Sequence, residues 1–230
     1  MKFRYFDLIL AAFAVCLVIS NIASTKMATI DLGFWEPIFD GGTFLFPITY
    51  IFGDVLTEVY GYKKARRVIW FGLIASIFSS LVFAAVGILP THESSFTKGA
   101  FETVLGFVPQ IVFASLIAFF FGEFLNSFVL AKLKIATKGK FFAARAIGST
   151  LVGQAADTII FSIIAFGIGA GAVPSEVLWS IILTNYLYKV GLEVLLTPVT
   201  TLIVQRLKQA EGVDSYDHTT NFNPFVLRHQ

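Results

Sequence analysis

A small set of ionisable residues stands inside long apolar stretches of this chain, and these side chains could do chemistry. Asp54, Glu58, Glu123, Asp157 and Glu193 are acids, Lys189 is a base, and Arg145 adds a base at the edge of one stretch. A charge in hydrocarbon is costly, so such residues face one another, water or a ligand, and each is a functional candidate. The acids outnumber the bases. A surplus of carboxyls cannot all stay ionised in a dry interior. Some must carry a proton, reach water, or meet a ligand that is cationic or rich in hydrogen-bond donors.

Spacing groups these residues with other polar side chains. At about 100° per helical residue, Tyr50, Asp54, Thr57 and Glu58 share one stripe. Glu123 and Asn126 lie one turn apart. Thr150, Gln154 and Asp157 form a third stripe, and Tyr186, Lys189 and Glu193 a fourth, with Asn185 beside it. Ser20, Asn21, Ser24 and Thr25 add a polar patch near the start of the chain. Lys189 and Glu193, at i and i+4, are expected to pair along one helix. Asp54, Asp157 and Lys189 are expected to lie deepest. Glu58, Glu123 and Glu193 lie nearer the ends, where snorkelling to water is the competing reading. For Thr57, Thr150 and Gln154 the competing reading is interhelical hydrogen bonding. Pro47, Pro109 and Pro198 are expected to kink helices. The stretch FGIGAGAVP reads as close packing and a helix end.

The elements that must position these groups are membrane helices. Of the 230 residues, 56% are hydrophobic and only 14% are charged, too few to coat a water-soluble surface. A span needs about 20 apolar residues to cross about 30 Å of hydrocarbon. Six stretches qualify: 6–26, 43–61, 67–89, 107–131, 142–169 and 177–205. The 43–61 stretch is the least apolar. The 67–89 stretch holds no ionisable group beyond Arg67 and reads as lipid-facing scaffold.

Lys2 and Arg4, Lys63 to Arg67, Lys132 to Lys140, and Arg206, Lys208 and Arg228 then fall on one side. The opposite connections hold only Lys26 and Lys98 among several acids. Basic loops stay in the cytoplasm, which places both termini there. The basic head and first apolar run are expected to be the first helix rather than a cleaved leader. Residues 1–208 read as one six-helix domain, and 209–230 as a short, loose, polar cytoplasmic tail.

Several functions are excluded. There is no GxxxxGK[ST] nucleotide loop, no HExxH, and no Cys/His cluster. Cys16 alone makes neither an internal disulfide nor a metal site, and reads as a small core residue. The net charge of +2 is no nucleic-acid footprint. No cofactor, metal or catalytic residue is expected. A transporter fits better than an enzyme.

The blocks NIASTK, GGTFLFPITYIFGDVLTEVYGYKKARRVIW, EFLNSFVLAKLK, RAIGSTLVGQAADT and YLYKVGLEVLLTPVT occur in this order. Together they resemble the queuosine-precursor transporter family, vitamin-uptake-transporter-like proteins of the bacterial inner membrane. The GDVLTEVYGY block is the most specific, and the resemblance runs to about Lys208. It implies an all-α six-helix bundle similar to the substrate-binding components of energy-coupling-factor transporters. It also implies import of 7-cyano- and 7-aminomethyl-7-deazaguanine. Such a ligand offers paired N–H donors to a carboxylate, a carbonyl to Asn, Gln or Lys, and a flat ring to an aromatic side chain. Substrate contact is therefore expected from Asp54, Glu123, Asn126, Gln154, Asp157, Asn185 and Lys189, and coupling or gating from Glu58 and Glu193. The expected partners are the small molecule and membrane lipid, with a homodimer as an option. Two other readings are a substrate-capturing subunit served by an ATP-driven partner and an intramembrane enzyme.

Overall fold

A computed structural model describes residues 3–31, 33, 36–96, 99–106, 108–168 and 172–226. Lys2, Lys98 and Arg228, used above for orientation, and residues 169–171 of the glycine-rich stretch lie outside the described residues.

The chain runs α1 (Phe6–Ala23), β1 (Met27–Thr29), β2 (Ile38–Asp40), a 3₁₀ turn (Gly41–Phe44), α2 (Phe46–Tyr60), α3 (Tyr62–Gly87), α4 (Ala100–Leu105), α5 (Val108–Ala136), α6 (Phe142–Phe166) and α7 (Ser175–Glu211). All six expected spans are helical. Five of them, α1, α3, α5, α6 and α7, are long and apolar enough to cross a membrane. The second is helical but shorter. It has 15 residues, or about 22 Å at 1.5 Å per residue, and twelve of them are buried. It packs against α1, α3, α5 and α7 and so forms the centre of the bundle. Its poor hydropathy reflects burial in protein rather than exposure to lipid.

Other boundaries shift for local reasons. Basic residues expected in connections sit on helix ends: Lys63, Lys64, Arg66 and Arg67 open α3, and Lys132 and Lys134 lie on α5. Helix α7 runs through Arg206 and Lys208 to Glu211. Pro47 and Pro109 lie at the starts of α2 and α5, where a missing N–H costs nothing, and only Pro198 is interior. The chain is mostly helical, as expected, with one short antiparallel hairpin that pairs Met27 with Asp40 and Thr29 with Ile38. The third helix matches its reading: Phe71, Ile74, Phe78 and Leu81 are all exposed, which suits a face toward lipid.

Close helix approach depends on glycine. A Cβ on Gly122 of α5 would lie 3.0 Å from the Gly153 carbonyl of α6 and 2.5 Å from the Tyr50 hydroxyl. A Cβ on Gly153 would lie 2.7 Å from Asn126 Cβ. Small residues thus let α5 and α6 meet almost backbone to backbone.

The loose tail is also corrected. Ser215 N–H donates to the Val59 carbonyl (3.2 Å), and Tyr62 N–H donates to Asp217 (3.0 Å). Arg66 donates to the carbonyls of Asn221 (2.8 Å) and Asn223 (2.6 Å), and the Trp70 indole donates to that of Pro224 (2.8 Å). Phe222 packs on Tyr62 and Phe128. The strap crosses Gly61, whose φ of +84° turns α2 into α3. A side chain at Gly61 would be strained and would press on Ser215.

Candidate functional site

The polar residues form three levels along the bundle. At the hairpin end, Asp40 caps the 3₁₀ turn. Its carboxylate accepts from Ser24 (2.7 Å), Gly42 N–H (3.0 Å), Thr43 (2.9 Å) and Asn185 (3.3 Å). This ties α1, the hairpin and α7 together. Asn185, expected at a substrate site, belongs to this tie. Sequence reasoning left Asp40 in an outer loop, although an Asp before Gly-Gly-Thr is a capping signal.

At the tail end, Glu58 is surrounded by bases. Arg145 holds it with a two-pronged contact (2.6 and 3.2 Å), Lys208 lies at 2.7 Å and Lys134 at 3.6 Å. Glu58 is 1% exposed, so it does not snorkel. Lys134 also donates to the Glu58 carbonyl, to Asp214 and to the Ser215 carbonyl. Arg145 and Lys134 are each only 2% exposed. They are buried counter-ions, not the peripheral bases the sequence suggested.

The remaining seven candidates meet in the middle. Lys189 of α7 donates to Asp157 of α6 at 2.9 Å and lies over the Phe46 ring. The expected Lys189–Glu193 pair is therefore corrected: Lys189 reaches across to α6. Glu193 accepts from Thr150 (2.6 Å) and Gln154 (3.3 Å) of α6 instead. Asn126 of α5 donates to Asp54 of α2 at 2.9 Å. Glu123 is fully buried against Gly53, where any Cβ would overlap its carboxyl group. Glu193 too is buried rather than snorkelling.

Charge in this middle level is unbalanced. Asp157 has Lys189, but among the described residues Asp54, Glu123 and Glu193 form no ion pair with a base. Several buried polar atoms here also have no hydrogen-bond partner: both Glu123 oxygens, the Tyr50 hydroxyl, Asn126 Oδ1 and Gln154 Oε1. Buried polar groups are almost always paired, so a cluster of orphans calls for an explanation. The two amide oxygens are pure acceptors, the Glu123 oxygens accept when ionised, and the Tyr50 hydroxyl can do either. They suit a partner that brings N–H donors or positive charge.

A family model described as "Putative vitamin uptake transporter" matches residues 40–203, which include every residue of this middle level. This chain belongs to that family. It is similar to proteins that carry the queuosine name. One is the "Probable queuosine precursor transporter" of Bacillus subtilis, 30% identical over 68% of this chain and 68% of the relative. Another is the "Queuosine precursor transporter" of Escherichia coli, 28% identical over 65% of each. A third is the "Probable queuosine precursor transporter" of Haemophilus influenzae, 27% identical over 67% of this chain and 63% of the relative. No solved structure matches. Family membership and the five long apolar helices make this a multi-pass membrane transporter.

Proposed function

We propose that this protein imports 7-cyano- and 7-aminomethyl-7-deazaguanine through the polar middle of the bundle. In this reading the five long helices and the short central α2 give six crossings of a bacterial inner membrane. Both termini are cytoplasmic, which puts the Glu58 cluster and the tail strap on the inside and the hairpin outside. The relatives' names support the substrate class.

One observation carries the reading: a buried core with three carboxyls that have no base among the described residues, surrounded by unpaired polar atoms. A deazaguanine presents adjacent N–H donors along one edge. A carboxylate accepts such a pair in a bidentate manner, as it does a guanidinium. Asp54 takes that edge, with Asn126 holding it in place. Lys189 and Gln154 supply donors for the ring carbonyl, and Tyr50 an aromatic wall. The aminomethyl cation adds charge of the sign the core lacks, beside Asp157 and Glu193. Asn185 and Glu58 act at the two ends, in closing the path rather than in substrate contact.

Liposomes containing only this chain test the proposal. Labelled 7-aminomethyl-7-deazaguanine is expected to enter them faster than protein-free liposomes, and excess unlabelled 7-cyano compound is expected to suppress entry. Binding without entry would instead indicate a capturing subunit that needs a driving partner.

A further inference from the structure

Glu123 stands apart from the other carboxyls of the core. Among the described residues, Asp157 has a base, Glu193 has two donors, Asp54 has one, and Glu123 has none. Its side chain is 0% exposed and rests on Gly53. The titratable groups facing it come from three helices: Tyr50 and Asp54 of α2, Asp157 of α6, and Glu193 of α7. Lys189 is engaged by Asp157, and Arg145 by Glu58. On their sides, α1 and α3 meet α5 with rings: Phe13 packs on Phe119, and Trp70 on Phe120 and Phe124.

A bare carboxylate is not tolerated in such a place. It would be desolvated, lack any donor, and lie among three other acids. As a neutral acid, Glu123 escapes the charge penalty, which is the larger part of that cost. The bundle can therefore close around this residue only when a proton is on it, and a side open to water lets that proton leave.

We infer that Glu123 is the proton-carrying group of this transporter: closure over the polar core takes up one proton at Glu123, which crosses with the substrate and is released when the core opens to the cytoplasm. No covalent bond changes apart from the O–H bond made on one side and broken on the other. The inference rests on the transport reading above and adds its driving ion. It also separates Glu123 from Glu58, which three bases hold in place, and from the substrate contacts with which its sequence position grouped it.

The test uses liposomes containing the whole chain. With one proton per substrate, a gradient of one pH unit, acid outside, at zero membrane potential should raise accumulation about tenfold. Glu123→Gln is always neutral, so it should still exchange labelled for unlabelled substrate at equal pH but lose the gradient response. Glu123→Asp keeps a titratable group and should keep the response with a displaced pH profile. Three results would overturn the inference. One is wild-type uptake indifferent to the pH gradient, which needs no variant. Another is a Glu123→Gln protein that accumulates like wild type. The third is a folded Glu123→Gln protein that has lost exchange as well, which would make Glu123 a substrate contact. Absence of any wild-type entry, at any pH, would count against the transport reading instead.

Discussion

Glu58→Leu is expected to destabilise the folded protein by about 3–5 kcal/mol, the cost of removing one partner from a buried ion cluster. Arg145, Lys134 and Lys208 converge on this carboxylate, and the first two are almost fully buried. Without it, Lys134 and Lys208 keep Asp214, while Arg145 keeps only the Lys140 and Gly139 carbonyls among the described residues. A leucine fills the space but offers no acceptor. Glu58→Gln should cost less, because its carbonyl oxygen still accepts one hydrogen bond. Adding Arg145→Leu to Glu58→Leu should recover part of the loss, since the most deeply paired cation then goes too. Denaturant titration of the detergent-solubilised protein reads all three. A loss below about 1 kcal/mol for Glu58→Leu is what an exposed ion pair would give, and would contradict the buried cluster.

Truncation after Gly212 is expected to cost on the order of 2–4 kcal/mol. The removed segment holds a charge-assisted hydrogen-bond pair at Arg66, worth about 1.5–3 kcal/mol, and a half-buried Phe222 contributing about 1–2 kcal/mol. The entropy of ordering the strap offsets part of this. The same cut exposes Lys134 and takes away its contacts with Asp214 and Ser215. The strap also carries a pH dependence. Burial raises the Asp214 pKa, but hydrogen bonds from Lys134 and Lys208 outweigh it and hold the carboxyl below its ordinary value. A lowered acid contributes stability above its unfolded pKa and loses it as pH falls through the folded value. The difference between full-length and truncated protein should therefore shrink in acid. Thermal midpoints of the two proteins across an acid series measure this.

What the sequence made legible follows from what sequence encodes. Apolar run lengths and basic clusters reveal the helices, and helical spacing places Asp54, Gln154, Asp157, Lys189 and Glu193 on stripes that do meet. Partner choice across helices is a tertiary property. Lys189 and Glu193 stand at pairing distance along α7, yet each finds a better partner on α6. Arg145 reads as peripheral because hydropathy counts residues and cannot see Glu58 reaching it from α2. The tail reads as loose because three of its anchors are the backbone carbonyls of Asn221, Asn223 and Pro224. Their side chains carry no trace of that role. The shortness of α2 follows from the same blindness, since a helix enclosed by four others needs neither the length nor the apolar surface of a lipid-facing span.

The central claim is that the carboxyl-rich middle of the bundle recognises the substrate. Uptake of labelled 7-aminomethyl-7-deazaguanine by cells producing equal amounts of folded wild-type, Asp54→Asn and Asp157→Asn protein tests it most directly. Both changes keep shape and an acceptor oxygen, so Asn126 and Lys189 retain a partner while the charge is lost. The expected result is about a tenfold or greater fall in uptake at low substrate for each variant, matching a lost charge-assisted hydrogen bond of about 1.5–3 kcal/mol. Wild-type uptake by both variants would contradict the account.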